Sequence, residues 1–560
     1  MIPPGPDTPD NVYAAFRNAA QNYPARTFLR VLPETARAYG IEPGDHRYEN
    51  TLSTVDALTL TYRSAGYRYG QRVALLLENR PQFFHHWFAL NALGVSVVPV
   101  NPDLRAAELR HIFSLAEPVL AVAIQSRRED LSRAAESAGV NCPVIVSDGP
   151  IPSCAADSIQ SEPSAQSQNQ PAVHSAEIRA STEAAMLFTS GTTGLAKGCV
   201  LSNEYFLQCG HWYSTTGGLM ALEPGVETML TPLPLFHMNA MACSTMAMVM
   251  LGGTLCLLDR FHPNTWWQAV RESRATCLHY LGVMPTLLMQ APESHAERDH
   301  TVRFGFGAGI DPELHAAFET RFGFPLIEAW AMTETGNGAV IAATHGERRV
   351  GSSNIGRPAD DVEIRVVADS GENAAANEPG ELLVRHAGEN PHFGFFSAYH
   401  KDQQATADAW QNGWFHTGDI VRRDAQGYVT FVDRKKNVIR RSGENIAAVE
   451  VESTLIRHPR VAAAAVCAVP DDVRGNEVFA CVVTDPASDP DASALASEIT
   501  TWMLGELAYY KAPGFVAFVD ALPLTATQKI QRGELKALAL AILARNDAVD
   551  VRALKKRNAI

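Results

Sequence analysis

The segment from Arg72 to Val100 constrains the fold most. "RVALLL" (Arg72 to Leu77) is an unbroken apolar run, "PQFFHHWFALNALG" has helical spacing, and "VSVVPV" is apolar again. A strand with one wet face alternates apolar and polar residues, whereas a strand apolar at every position is covered on both faces. Strand, helix and strand in this order therefore predict a parallel sheet with helices on both sides. Short apolar runs alternating with helical stretches resume from Met186 to about residue 430. His85 and His86 are adjacent on the helix and point in different directions, so they read as packed or solvated side chains and not as a metal pair.

The chain has 560 residues, 46% hydrophobic and 19% charged, which suits a large buried core divided among domains. A formal charge of −14 argues against a general nucleic-acid binder, because phosphate backbones are held by basic patches. Nine cysteines are scattered without any C-x-x-C, as expected of a reduced, cytoplasmic protein lacking a disulfide framework or structural zinc. The first residues show no basic region followed by an apolar one, so no signal peptide is expected. Met238 to Leu258 is long enough to span a bilayer, but Gly252-Gly253 divides it. It is read as a buried helix, a turn and a buried strand, and no membrane span is expected.

Ile151 to Glu183, rich in Ser, Gln, Ala and Pro, reads as a surface loop. "EPGELLVR" and "GYVTFVDRKKNVIRRSG" read as β-hairpins. After Arg434 a helix-then-strand pattern, "AAVEVESTLIRHPRVAAAAVCAVPD", precedes a further strand, "NEVFACVV". The fold class is α/β: a large N-terminal domain of layered β-sheets and helices, residues 1–434, and a small mobile α+β C-terminal domain, residues 435–560.

"LFTSGTTGLAKG" (Leu187 to Gly198) crowds small hydroxylated residues around one lysine. It is not the nucleotide-hydrolase P-loop: Ala196 stands where a glycine should precede Lys197, and Gly198 stands where a hydroxyl should follow. Free N–H groups, hydroxyls and a cation can wrap a phosphate; a flexible turn is the alternative from these residues alone.

The stretch "TSGTTGLAKG" resembles the phosphate loop of the adenylate-forming superfamily of acyl-CoA synthetases, luciferases and peptide-synthetase adenylation domains. Further stretches resemble its motifs in order: "PLPLFHMNAM", "FGFGAGI", "AWAMTETG", "GWFHTGDI", "DRKKNVIRRSGENIAAVEVE" and "PLTATQKIQR". The resemblance implies ATP, Mg²⁺ and coenzyme A as reactants. A carboxylate attacks the α-phosphate, pyrophosphate leaves, and a thiol then displaces AMP. It implies that Thr189, Ser190, Gly191, Thr192, Thr193, Gly194 and Lys197 hold the outer phosphates. Thr333 would touch the α-phosphate and Glu334 would ligate Mg²⁺. Trp330, where a tyrosine is usual, would stack on adenine; Ala331 replaces the usual glycine. Asp419 and Arg434 would take the ribose hydroxyls. Lys529 would serve as the catalytic cation of a mobile loop in which Gln528 replaces glycine. Lys436 would be the hinge, and rotation about it would bring Gly443 to the CoA side.

His237, Gly307, Ala308 and Gly309 are expected at the acyl pocket. "FHMNAM" offers no carboxylate to pair an α-amino group, so an amino-acid substrate is disfavoured; most of the nearby methionines are read as core. No carrier domain follows the last motif, so the expected reaction is an AMP-forming ligation of an apolar or weakly polar small-molecule carboxylic acid to free CoA, as in fatty acid metabolism. The texture also resembles the crotonobetaine/carnitine–CoA ligase branch. Loading of a separate carrier protein and a non-catalytic nucleotide-binding relative remain as alternatives, and a homodimer stays open.

Overall fold

The computed structural model describes residues 9–154, 177–189, 196–281, 283–310, 312–368, 370–434, 439–446, 448–484, 491–523, 530 and 532–556. Arg72–Leu76 and Ser96–Pro99 lie parallel, joined by the helix Pro81–Asn91, as their unbroken apolar pattern requires. Pro81 opens that helix, where its missing N–H costs nothing. His86 is buried and bonded to Tyr62 Oη and the Ser147 carbonyl, at 2.7 and 3.0 Å, so it is a packing residue.

Among the described residues the strands form three sheets. One contains this unit, flanked by Leu120–Ala123 on one side and by Glu183–Thr189 and Lys197–Ser202 on the other. A second has a parallel centre, Thr254–Leu257, Thr228–Thr231, Cys277–Leu281, Phe304–Ala308 and Leu326–Trp330, and continues through antiparallel strands to Val362–Val367. A single apolar cluster joins the two: Val73 and Val97 of one sheet, Leu255 and Phe304 of the other, and Phe16, Phe84, Trp87, Phe206 and Met246 from helices between them. Separate clusters cover the outer faces, through Ile112 and Leu131 on the first sheet and Trp266 and Phe318 on the second. The layers therefore alternate helix, sheet, helix, sheet, helix.

The Met238–Leu258 segment resolves as expected. A π-helical turn, Asn239–Ser244, runs into the helix Thr245–Leu251, Gly252 caps it in the left-handed conformation at φ 61°, and the strand Thr254–Leu257 follows. No described helix is long and apolar enough to cross a membrane. Met241, Met246 and Met248 are fully buried, in agreement with the core reading.

The third sheet belongs to the C-terminal part. Val461–Asp471 and Gly475–Thr484 form its long hairpin. Ala448–Ile456 and Ala492–Glu506 cover one face, and Arg532–Ala544 covers the other. Here the hairpin expected over "GYVTFVDRKKNVIRRSG" is corrected. Val429–Arg434 pairs with Trp414–Arg423 in the second sheet, whereas Ile439–Arg441 pairs with Glu444–Ile446 in the third. The strands before and after the charged run therefore belong to different sheets, and residues 435–438 lie outside the described residues. Likewise "EPGELLVR" is a single strand, Pro379–His386, whose hairpin partner is Val362–Val367 upstream.

Candidate active site

The carboxyl ends of parallel strands are where open α/β sheets bind ligands. Leu326–Trp330 and Phe304–Ala308 end together at a cavity of about 1480 Å³, whose wall includes Thr189, Thr333, Glu334, His237 and Gly307 to Gly309. An added Cβ on Gly307 would stand 2.1 Å from the Tyr280 carbonyl oxygen, so the neighbouring strand's approach explains that glycine. Ala331 is not among the residues with positive φ, so its Cβ brings no backbone strain.

At one end, Thr189 and Lys197 face each other across the antiparallel ladder of Glu183–Thr189 and Lys197–Ser202. Ser190, Gly191, Thr192, Thr193 and Gly194 lie outside the described residues. Thr189 Oγ1 and Tyr399 Oη both donate to Glu334 Oε1, at 3.3 and 2.9 Å. Lys197 Nζ sits 4.8 Å from the Tyr399 ring centre and 3.6 Å from Asp402 Oδ2. Burial, reinforced by the Glu334 carboxylate, pushes the Tyr399 hydroxyl far above its usual range, so it stays a donor. Tyr399 and Asp402 are members that sequence reasoning missed, since "SAYHKD" carries no motif.

Glu334 offers a hard carboxylate oxygen on the cavity wall, and no cluster of three or more acidic, His or Cys ligands occurs among the described residues. That chemistry fits Mg²⁺ arriving with a triphosphate, since the ion is commonly held by one or two carboxylates plus phosphate oxygens.

Trp330 lines the cavity, and its indole N–H donates to Asp419 Oδ2 at 2.8 Å. Asp419 is fully buried and does not reach the cavity surface, so the indole covers it. The backbone of Arg434 pairs opposite Asp419. Lys436 and Lys529 lie outside the described residues.

The C-terminal domain closes the other end. Ile439–Arg441 and Glu444–Ile446 form a tight hairpin whose two turn residues, Ser442 and Gly443, have φ of 50° and 85°. An added Cβ on Gly443 would stand 2.3 Å from Leu281 Cδ1, so this tip seats against the cavity wall, and its φ of 85° favours glycine there. Beside it Glu444 Oε2 is 3.6 Å from His237 Nε2.

A buried ion cluster secures the same docking. Lys511 Nζ binds Glu108 Oε1 of the large domain at 2.6 Å and Glu450 Oε1 of the small one at 2.8 Å. Glu108 Oε2 also accepts from the Ala508 backbone N–H, and Asn101 Nδ2 donates to Tyr510 Oη. Burial works against the Lys511 ammonium, but the two carboxylates override it and hold it charged. Nothing local in the sequence pairs residues so far apart.

The comparisons with known proteins agree with this geometry. The AMP-binding enzyme family matches residues 16–390, and the AMP-binding enzyme C-terminal domain matches 450–529. A sulfoacetate–CoA ligase of Cupriavidus necator is 32% identical over 95% of this chain and 98% of its own. A crotonobetaine/carnitine–CoA ligase of Citrobacter koseri is 29% identical over 87% of this chain and 92% of its own. Among solved structures, an o-succinylbenzoate CoA synthetase of Bacillus subtilis with a bound product analogue superposes with a TM-score of 0.76, at 23% identity over 94% of this chain and 98% of that one. An amide bond synthetase of Marinactinospora thermotolerans superposes at 0.77, with 24% identity over 94% and 99%. The two structures attest the fold. The chain belongs to the AMP-binding enzyme family, in its acid–CoA ligase branch.

Proposed function

We propose that this cleft joins a carboxylic acid to the α-phosphate of ATP with loss of pyrophosphate, then transfers the acyl group to CoA with release of AMP. The observation that carries this reading is the meeting of Thr189, Thr333 and Glu334 with the small-domain hairpin tip on one cavity wall. Two anions must approach in the first step, so fixed positive charge and donors are required where charge builds. Lys197 and Thr189 would draw the outer phosphates to one end. Glu334 would hold Mg²⁺, which when bound neutralises phosphate charge. Lys529 supplies the cation at the reacting carboxylate. Turning about Lys436 then exchanges the Lys529 loop for the 442–444 tip, which fits the membership of Val429–Arg434 and Ile439–Arg441 in different sheets. No disulfide joins any of the nine cysteines, which supports a reducing, cytoplasmic setting.

A panel of acids with ATP and Mg²⁺, read by pyrophosphate release, tests the reading. AMP should accumulate once CoA is added, and ADP with orthophosphate would overturn it. Transfer to a carrier protein in preference to CoA would favour the carrier-loading alternative. Silence with every acid would favour a non-catalytic relative.

Asp419 must be uncovered before ribose hydroxyls can reach it. The bond from Trp330 opposes this, and a hydrogen bond to a charged group is worth about 1.5–3 kcal/mol. Trp330→Phe keeps an aromatic face and removes the tie, so the KM for ATP should fall by about tenfold with kcat little changed. Trp330→Ala should raise it by losing the stacking face. Steady-state titration of ATP decides; a higher KM for Trp330→Phe would show that the indole N–H instead positions Asp419 for the nucleotide.

A further inference from the structure

The wall beside His237 holds a polar relay that the proposed reaction does not use. Tyr213 Oη bonds His279 Nε2, while His279 Nδ1 meets Ser244 Oγ at 2.8 Å and Asn239 Oδ1 at 2.5 Å. Tyr213, Ser244 and His279 are essentially inaccessible to solvent, whereas Asn239 is half-buried and lines the cavity. Burial pushes the imidazole down to about 3, so it is neutral and carries one N–H.

The bonding pattern decides which nitrogen carries it. Ser244 Oγ donates to the Asn239 backbone carbonyl at 3.2 Å, and Asn239 Oδ1, which can only accept, lies 2.5 Å from Nδ1. Nδ1 is therefore the N–H, Nε2 accepts from Tyr213, and Asn239 must present its oxygen to the ring. That leaves the Asn239 Nδ2 amide, which takes no partner among the described residues. The π-helical turn that starts at Asn239 sets this side chain on the wall, a distortion frequent at functional sites. Trp212, Met238, Cys243, Phe306 and Asn337 line the same cavity, and none of these five carries a charge.

We propose that Asn239 is a specificity residue for the acyl substrate, its amide N–H donating to an acceptor oxygen on the uncharged tail of the acid. His279 is a positioning residue that acts through it. The inference rests on the acid-activating reading of the cleft. A donor locked in place rewards an oxygen and rejects the methylene that replaces it, because an apolar isostere leaves the buried amide unpaired.

Pairs of acids differing only by ether oxygen against methylene test it: methoxyacetate with butanoate, 3-methoxypropanoate with pentanoate, and 3-methoxybenzoate with 3-ethylbenzoate. An ether oxygen only accepts, so it reports a donor and nothing else. In at least one pair the wild type should favour the ether in kcat/KM for pyrophosphate release by about ten- to a hundredfold. Asn239→Leu should bring that ratio within about threefold of unity. Asn239→Asp retains the oxygen facing His279, so it guards against misfolding, and it should favour the methylene acid. His279→Ala should lower the ratio through the KM for acid while the KM for ATP stays unchanged. Ratios near unity in every pair that the wild type turns over, or an unchanged ratio in Asn239→Leu, would overturn the proposal while the ligase reading stands. If no acid releases pyrophosphate, both fall together.

Discussion

Replacing Lys529 with alanine should cut pyrophosphate release by about two to four orders of magnitude and leave CoA attack on supplied acyl-adenylate within a few-fold of wild type. The asymmetry follows from how the small domain is docked. Leu522 and Ile530, which bracket the Lys529 loop, pack on the outer core with Cys467, Phe479 and Leu535, none of which lines the cavity. The tip at Ser442 and Gly443 faces the cleft instead. An ammonium lowers the barrier only where carboxylate and α-phosphate charges converge, which happens in the first half-reaction alone. The two steps are measured separately, by pyrophosphate release with acid and ATP and by thioester formation from synthetic acyl-adenylate. An equal loss in both would show that Lys529 supports the fold or the thioester step, and the assignment of one domain face to each step would fail.

The parts legible in the sequence were those whose physics is local. Unbroken apolar runs such as Arg72–Leu76 are buried on both faces in a parallel sheet, and the Gly252-Gly253 break separates a helix from a strand as read. Ordered motifs placed Thr189, Thr333, Glu334, His237 and Gly307 on one cavity. What escaped depends on tertiary approach. The alternation of "YVTF" and "VIRRS" is the same whether two strands pair with each other or with strands of different sheets, so the two read as one hairpin. Tyr399 reaches Glu334 from 65 residues away, with a sequence context that gives no hint of it. Asn239 sits inside a recognised motif, yet its partner His279 lies in the middle of a buried strand, where an apolar residue would be the ordinary choice. That buried histidine is the kind of local inconsistency that sequence can flag, although only the structure supplies the partner.

Lys511→Ala should give the mirror image of the Lys529 result: thioester formation reduced by about a hundredfold or more, with pyrophosphate release within a few-fold of wild type. Lys511 neutralises Glu108 from one domain and Glu450 from the other in a dry interface. Removing one partner of a buried ion pair costs about 3–5 kcal/mol, because the remaining charge has no water to return to. Here two carboxylates would be left facing each other, so repulsion adds to desolvation. The penalty falls on the docked arrangement, in which Gly443 touches Leu281, and is relieved as soon as the domains part and water reaches Glu108. A conformation disfavoured by that much is populated far less than one part in a hundred relative to its present share, and any step that needs it slows accordingly. Glu108→Gln separates this from a simple loss of small-domain stability. It leaves the Lys511–Glu450 pair within the small domain intact and weakens the contact between domains, while glutamine can still accept from the Arg105 backbone N–H that Glu108 caps, so it should slow thioester formation in the same direction, by less, with an unchanged melting temperature. If Glu108→Gln slows pyrophosphate release as much as thioester formation, the docked arrangement serves both steps, and the small domain does not alternate between them.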